Sequence, residues 1–208
     1  MEWFVTPNRP QKGLKLFEAS GNREKDAIIG DDDCFGWDAY CFGYKRAADV
    51  LVDRFLEKRN DFSAYYESQA YAIIFLYRHY LELRLKELLI AYGRLFGEPV
   101  KVASHRHYLA RVWKEIRNME NRTRTEPVPE IDEDLEVLEG IIKEFDKIDP
   151  KSEVFRYPTS SDGKAVSLPV IQVGLQVLKQ RMHWVSYILD GWSVGVDEYI
   201  KVGRESAF

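Results

Sequence analysis

The stretch LYRHYLELRLKELL, residues 76–89, predicts the architecture of this chain. Its leucines and tyrosines recur every three or four residues, which is the period of an α-helix. The sequence around it, from about 62 to 95, is apolar over most of the circumference that such a helix would have. We therefore expect a long central helix that contacts more than one neighbour and ends at Gly97 and Pro99.

Polar side chains interrupt this helix along one stripe, at Arg78, His79, Glu82 and Lys86. Arg78 and Lys86 each lie four residues from Glu82, a spacing at which exposed ion pairs contribute roughly 0.2–0.5 kcal/mol. The stripe is either a solvated face with ordinary ion pairs or the lining of an internal cleft. In a cleft, His79 could act as a general acid or base near neutral pH, and Arg78 and Glu82 would be its catalytic partners.

The same periodicity predicts four further helices. They lie at about 36–59, at about 105–120, from the proline-led entrance PVPEIDEDLE (127–136) to a stop at Asp149-Pro150, and at about 169–190 with a continuation toward Val202. Residues 1–35 predict an irregular N-terminal segment, and residues 153–168 a loop or small hairpin. We thus expect one all-α domain over 1–208, with an antiparallel bundle of about five helices at 36–202. The helices at 62–95 and 169–190 should be core neighbours.

Composition excludes several classes of protein. Of the 208 residues, 45% are hydrophobic and 31% are charged, as in a soluble globular chain. The longest apolar run, YAIIFLY at 71–77, is too short to cross a bilayer, and the sequence opens without a secretory signal pattern. We therefore expect a cytoplasmic protein with no membrane partner. The chain also lacks a P-loop and a GxSxG nucleophile motif.

The residue pattern predicts no metal site and no cofactor. The consecutive acids at 31–33 cannot all face one ion without a special loop, so they indicate a solvated acidic turn. His105 and His107 have no cysteine or acidic cluster to complete a ligand set, and on a helix start their rings would diverge. Cys34 and Cys41 form no CxxC motif, and we expect reduced thiols.

Charge is segregated along the chain, although the formal net charge is only −4. Residues 101–124 hold seven Lys/Arg against two Glu, about +5, whereas residues 126–149 hold ten Asp/Glu against two Lys, about −8. Either the two segments attract each other within the fold, or the basic segment stays partly exposed as a surface for phosphate.

Two arginines, Arg84 and Arg181, fall on the apolar arcs of their predicted helices. A buried lone guanidinium is too costly to tolerate, so each requires a partner. Carboxylates of the acidic helix, such as Glu136 or Glu139, are candidates for a structural pair. The alternatives are an aromatic stack, a bound anion or a subunit interface.

Four segments carry a resemblance to known proteins: FLYRHYLELRLKELL (75–89), HRHYLARVWKEI (105–116), EVLEGIIKEFDKID (136–149) and FRYPTSSDGK (155–164). Over about 62–190 the chain resembles prokaryotic helical proteins of the HEPN-like class. The resemblance implies a helical, commonly dimeric protein of toxin–antitoxin or antiviral systems, in which many members cut RNA without a metal. The usual signature of that class, an Arg followed by a His after four to six intervening residues, is absent here.

These observations lead to two hypotheses about function. In the first, a cytoplasmic homodimer binds RNA or another phosphate-bearing ligand near Arg78, His79, Lys86, Arg156 and Tyr157. Whether it also cuts RNA stays open; an imidazole would have to remove the 2′-OH proton while guanidinium groups neutralise the phosphorane. In the second, the chain is a non-catalytic dimerisation scaffold. Convergence of Arg78, His79, Glu82 and Arg156 in one cleft would favour the first.

Overall fold

The computed structural model describes residues 12, 16–29, 32–57, 64–124, 126–160, 163–166 and 172–205. Contacts divide the chain into two units, Met1–Cys34 and Phe35–Phe208. In the first unit, the described residues 16–29 form turns and irregular structure, as expected of an irregular N-terminal segment. The prediction of a single domain stays a prediction.

Five α-helices form the described part of the second unit, with α1 beginning just before it. They are α1 (Asp32–Glu57), α2 (Ala64–Phe96), α3 (Leu109–Thr123), α4 (Pro129–Ile148) and α5 (Leu175–Glu205), and a 3-10 helix, η1 (Val102–His105), precedes α3. The described residues form no strand, and Thr159 and Ala165 make a single antiparallel bridge in the loop predicted at 153–168. The predicted all-α bundle is confirmed.

Local chemistry explains the ends of these helices. At the end of α2, Gly97 has φ +68°, and the N–H groups of Gly97 and Glu98 donate to the carbonyls of Arg94 and Gly93, a glycine-dependent C-terminal cap. In α1, Gly36 has φ 43° and ψ −138°, so the regular helix starts after it. The fifth helix begins at Leu175 rather than 169, because residues 172–174 are not helical.

Helix α2 is the centre of the bundle. It packs against α5 and α3, and α3 packs against α4, so the prediction that α2 and α5 are core neighbours is confirmed. The core includes Leu81, Leu85, Leu88, Leu89, Leu109, Ile116, Leu138, Ile142, Met182, Val185 and Leu189. Burying one such side chain stabilises the fold by roughly 1.5–3 kcal/mol.

The connection between α2 and α3 runs back along α2. His107 contacts Arg78 and Glu82 in the middle of α2, whereas Arg122 at the other end of α3 pairs with Glu98. Consecutive helices α2 and α3 therefore point in the same direction. This return brings the segment before α3 beside the polar stripe of α2.

None of the described helices combines the length and the apolar character that a membrane crossing requires. Cys41 is a buried free thiol, and burial raises its pKa to about 12. Such a thiol stays protonated at neutral pH and is chemically inert.

Candidate functional site

Arg78 belongs to the polar stripe of α2, but its side chain cannot contact a ligand. Its side chain is fully buried, at 0% exposure. Nε donates to the Asp149 carbonyl (3.0 Å), Nη2 to the His107 carbonyl (2.7 Å) and Nη1 to Glu82 Oε2 (3.1 Å). The predicted catalytic and ligand-binding role of Arg78 is therefore corrected. With its donors committed inside the protein, Arg78 is a positioning residue that joins α2 to the start of α3 and the end of α4.

The Asp149 side chain fixes the loop that follows α4. Its carboxylate lies 3.7 Å from Arg78 Nε and accepts hydrogen bonds from the main-chain N–H groups of Glu153 (2.7 Å) and Val154 (3.1 Å). Because Arg78 lies beside it, the carboxylate can remain buried. The pair holds the turn that carries Arg156 next to α2.

Glu82 is the hub of the polar stripe, and it is only 2% exposed. Its oxygens accept hydrogen bonds from Arg78 Nη1, Lys86 Nζ (2.7 Å) and His107 Nδ1 (2.9 Å). Burial raises the pKa of Glu82, but the hydrogen bond and charge of Lys86, with His107 and Arg78, outweigh burial and hold that pKa below its ordinary value. The stripe is thus neither a solvated face nor an open cleft wall, but a mostly buried charge network with His79 and His107 at its edge.

His107 enters the site from the turn before α3. Nδ1 donates a hydrogen bond to the Glu82 carboxylate, so Nε2 is the nitrogen left for a ligand. The side chain is 47% exposed, so a ligand can reach it. The helix predicted at 105–120 did not place His107 in the site. The observed helix α3 begins only at Leu109, so helical-wheel positions do not apply to the turn that holds His107. The pairing of His107 with Glu82 depends on the return of the chain along α2.

The backbone next to His107 is strained. Arg106 has φ 49° and ψ −117°, a conformation that glycine adopts freely and that costs other residues of order 1–3 kcal/mol. Its N–H donates to the Ala103 carbonyl (3.2 Å), which closes η1. The turn lets the His107 carbonyl meet Arg78 while the His107 ring meets Glu82. Strain of this kind concentrates at functional sites, where the surrounding structure imposes it.

His79 lies half-buried beside this network. Its ring stacks on Phe75 at a centroid separation of 5.5 Å and meets the edge of Tyr44 at 4.4 Å. Burial lowers the pKa of His79; Glu82 opposes this shift, while Arg156, His107 and Lys86 reinforce it. His79 is therefore a neutral imidazole at pH 7, and four charged or titratable groups lie near enough to act on it.

Arg156 reaches the site from the FRYP loop. Nε donates to the Ser152 carbonyl, and the guanidinium lies over the rings of Phe75 (5.4 Å) and Tyr157 (5.2 Å). The residue is exposed, and no carboxylate of the described residues forms an ion pair with it. Arg156 can therefore offer its outer N–H groups to an anion. Tyr157, which is also exposed, supports the guanidinium from below.

The structure brings together most of the side chains that the sequence singled out. Lys86 forms an ion pair with Glu82 and is only 14% exposed. It therefore adds positive charge to the site rather than a direct contact with a ligand. His79, His107 and Arg156 remain, and they come from α2, the turn before α3 and the loop after α4. Two imidazoles and one guanidinium can bind a phosphate group, and the imidazoles can in addition exchange protons with it.

Some cations of the basic segment at 101–124 form ion pairs within the fold, and others remain exposed. Arg117 and Arg124 pair with Glu120, Arg124 also pairs with Asp132 of the acidic helix, and Arg122 pairs with Glu98. Four cations are exposed, and they form no ion pair within the described residues: Lys101, Arg106, Arg111 and Lys114. Part of the segment thus attracts its neighbours in the fold, and part remains available to an external anion near His107.

Arg84 and Arg181 occupy different environments. Arg84 is buried and pairs with Asp38 (2.7 Å), Glu87 (3.1 Å) and Asp190 (3.0 Å), rather than with Glu136 or Glu139. Arg181 is exposed and has no ion pair among the described residues, which corrects its predicted place on the buried arc of the last helix. Its neighbours on that helix face, Ile188 and Trp192, are only partly buried, so the long Arg181 side chain reaches solvent.

Comparison with known proteins finds no matching family model, no similar curated protein and no similar solved structure.

Proposed function

We propose that this protein binds RNA, or another phosphate-bearing ligand, at the surface where His79, His107 and Arg156 lie near one another. The observation that carries the proposal is the convergence of two imidazoles and an exposed guanidinium from three separate segments. Charge supports it, because the exposed cations Lys101, Arg106 and Arg111 extend the positive surface next to His107. The resemblance to HEPN-like proteins points to RNA in particular, and with it to a cytoplasmic role in defence or in a toxin–antitoxin pair.

The site is also built in a way that favours a phosphate over a neutral ligand. Arg78 and Asp149 neutralise each other below the site, and Glu82 is covered by Lys86 and His107. The groups that face outward are therefore the positive or protonatable ones. Bidentate and charge-assisted hydrogen bonds to phosphate oxygens are the interactions that such groups make best.

The same groups would suffice for metal-independent cleavage of RNA. Neutral His79 could accept the 2′-OH proton, the second imidazole, His107, could donate a proton to the leaving oxygen when Nε2 carries one, and Arg156 could stabilise the phosphorane. Cleavage demands that the phosphate lie between the two imidazoles, whereas binding demands only complementary charge. Binding is therefore the proposed function, and cleavage is an outcome that the test decides.

The test is to incubate the purified protein with total RNA in a chelator and to measure binding at low and at moderate salt. His79→Ala is the test variant, and His183→Ala, an exposed histidine on α5, is its matched control. Binding that weakens with salt and with His79→Ala, but not with His183→Ala, is the expected result. If the wild type cleaves RNA and His79→Ala does not, the protein is also a ribonuclease. Absence of binding at low salt overturns the proposal.

A second candidate function, a homodimeric scaffold, is favoured by one surface of α5. Tyr187 and Val194 are 76% and 62% exposed and lie on the same helix face as Gly191, a combination that suits close helix contact. If this face makes a dimer, Val194→Glu converts it to a monomer in sedimentation experiments. A monomeric wild type would eliminate this candidate.

A further inference from the structure

Arg156 lines a half-open groove with a volume of about 590 Å³, within the range of roughly 300–1,000 Å³ for ligand pockets. Tyr71 of α2 forms one part of its lining, and Phe155, Tyr157 and Pro158 of the loop after α4 form another. Tyr71 and Tyr157 are 51% and 53% exposed, so their rings remain available to a ligand. Two large aromatic side chains, Tyr71 and Tyr157, thus lie exposed to solvent in a concave part of the surface.

Arg156 connects this groove to His79. It lines the groove, and its guanidinium lies over Phe75, which in turn stacks on His79. The path from the groove to His79 therefore passes through two consecutive ring contacts, of 5.4 Å and 5.5 Å. A ligand whose anionic group lies at Arg156 is therefore within reach of the aromatic groove.

We propose that the groove is a nucleobase subsite: one base of a single-stranded RNA stacks on Tyr71 or Tyr157 while its phosphate lies at Arg156. This inference rests on the proposed function and names the part of the ligand that the site reads. Aromatic side chains flanked by a cation are the common means of holding unpaired bases, because every base presents a flat π surface. The subsite selects single strands, since a base within a duplex has no free face.

The groove and the phosphate site can be tested separately. The ligands are a fluorescent five-nucleotide oligoadenylate and an abasic ribose-phosphate oligomer of the same length. The variants are Tyr71→Ala, which leaves the contacts of Arg156 intact, and Tyr71→Phe, which preserves the ring and removes only the hydroxyl. Tyr199→Ala is the matched control, because Tyr199 is exposed near the C-terminal end of α5 and does not line the groove.

The expected result is that the wild type binds oligoadenylate more tightly than the abasic oligomer, and that Tyr71→Ala weakens oligoadenylate binding about tenfold. Tyr71→Ala should leave abasic binding unchanged, and Tyr71→Phe and Tyr199→Ala should bind both ligands like the wild type. Equal affinity for both oligomers, unaffected by Tyr71→Ala, overturns the base subsite and leaves the proposed function standing. If neither oligomer binds, the proposed function itself is overturned, and the subsite with it.

Discussion

At the scale of single residues, burial decides which polar side chains of α2 can meet a ligand. Arg78 and His79 are neighbours in sequence, yet Arg78 is fully buried and His79 only half-buried. Helical spacing places both residues on one stripe, but it does not predict which end of that stripe other segments of the protein bury. The cover on Arg78 consists of the main-chain carbonyls of His107 and Asp149, and main-chain acceptors have no signature in a sequence.

The contrast between Arg84 and Arg181 gives a first prediction. Arg84→Met removes the cation shared by three carboxylates and leaves Glu87 buried without it, so we expect a loss of about 2 kcal/mol in the free energy of unfolding. The loss should be smaller than for a fully buried pair because Asp38 and Asp190 are partly in water. Arg181→Met should change stability by less than about 0.5 kcal/mol. Urea unfolding measures both, and equal losses would contradict the assignment.

A second prediction concerns pH. Burial holds the pKa of free His79 below its ordinary value, and a bound phosphate should raise that pKa. Binding then takes up a proton, so RNA affinity should increase as pH falls through the pKa of His79 in the complex and level off below its pKa in the free protein. In His79→Ala the increase should be smaller. Anisotropy titrations across this range test the sign, and affinity that decreases toward acid pH would refute it.

Without a ligand, His79 makes the opposite contribution to stability. Its pKa is lower in the folded protein than in the unfolded chain, so the unfolded state binds more protons between those two values. The folded protein therefore loses stability as pH falls below about 6.5, the ordinary value for histidine.

At the scale of helices, apolar periodicity predicted the existence of all five, and the cap of α2 at Gly97 was readable from glycine and proline. The start of α5 was not readable, because residues 172–174 continue the apparent helical pattern yet are not helical. The course of residues 97–108 back along α2 could not be predicted either. A short connection predicts that the next helix is antiparallel, whereas the contacts of His107 and Arg122 show that α3 is parallel to α2. His107 was missed for this reason.

Two glycines provide a third, matched prediction at this scale. A Cβ on Gly93 would lie 2.6 Å from Val100 Cγ2 and 2.7 Å from the Glu98 carbonyl oxygen, whereas a Cβ on Gly140 would meet nothing within 4 Å. Gly93→Ala should therefore destabilise the protein by about 1–3 kcal/mol, because the returning chain must shift. Gly140→Ala should stabilise it by up to about 1 kcal/mol through helix propensity. Thermal unfolding of the two variants tests this, and the opposite order would show that the return after α2 is misplaced.

At the scale of the whole molecule, a net charge of −4 conceals a local positive surface. The sequence showed that charge was segregated, but the division between paired and exposed cations depends on where Glu98, Glu120 and Asp132 fall in three dimensions. The proposed RNA surface is therefore the part of the basic segment that the fold leaves without a carboxylate.

This surface sets the salt dependence of binding, which is a fourth prediction. If Lys101, Arg106, Arg111 and Arg156 each contact a phosphate of single-stranded RNA, the slope of log affinity against log salt should be roughly −3, at about −0.7 per contact. Arg111→Gln should reduce the slope by about 0.7. Lys201→Gln, which alters a lysine paired with Glu198 on α5, is the control and should leave it unchanged. A slope near zero would mean that phosphates do not drive binding.

NMR observation of the four histidine imidazoles during titration with a short single-stranded RNA tests the proposed phosphate site most directly. His183 serves as the internal control, because it lies on the surface of α5 outside the proposed site. We expect the resonances of His79 and His107 to shift together and saturate, while that of His183 does not move. Resonances that all remain still, or a shift confined to His183, would contradict a phosphate-binding site between α2, the turn before α3 and the FRYP loop.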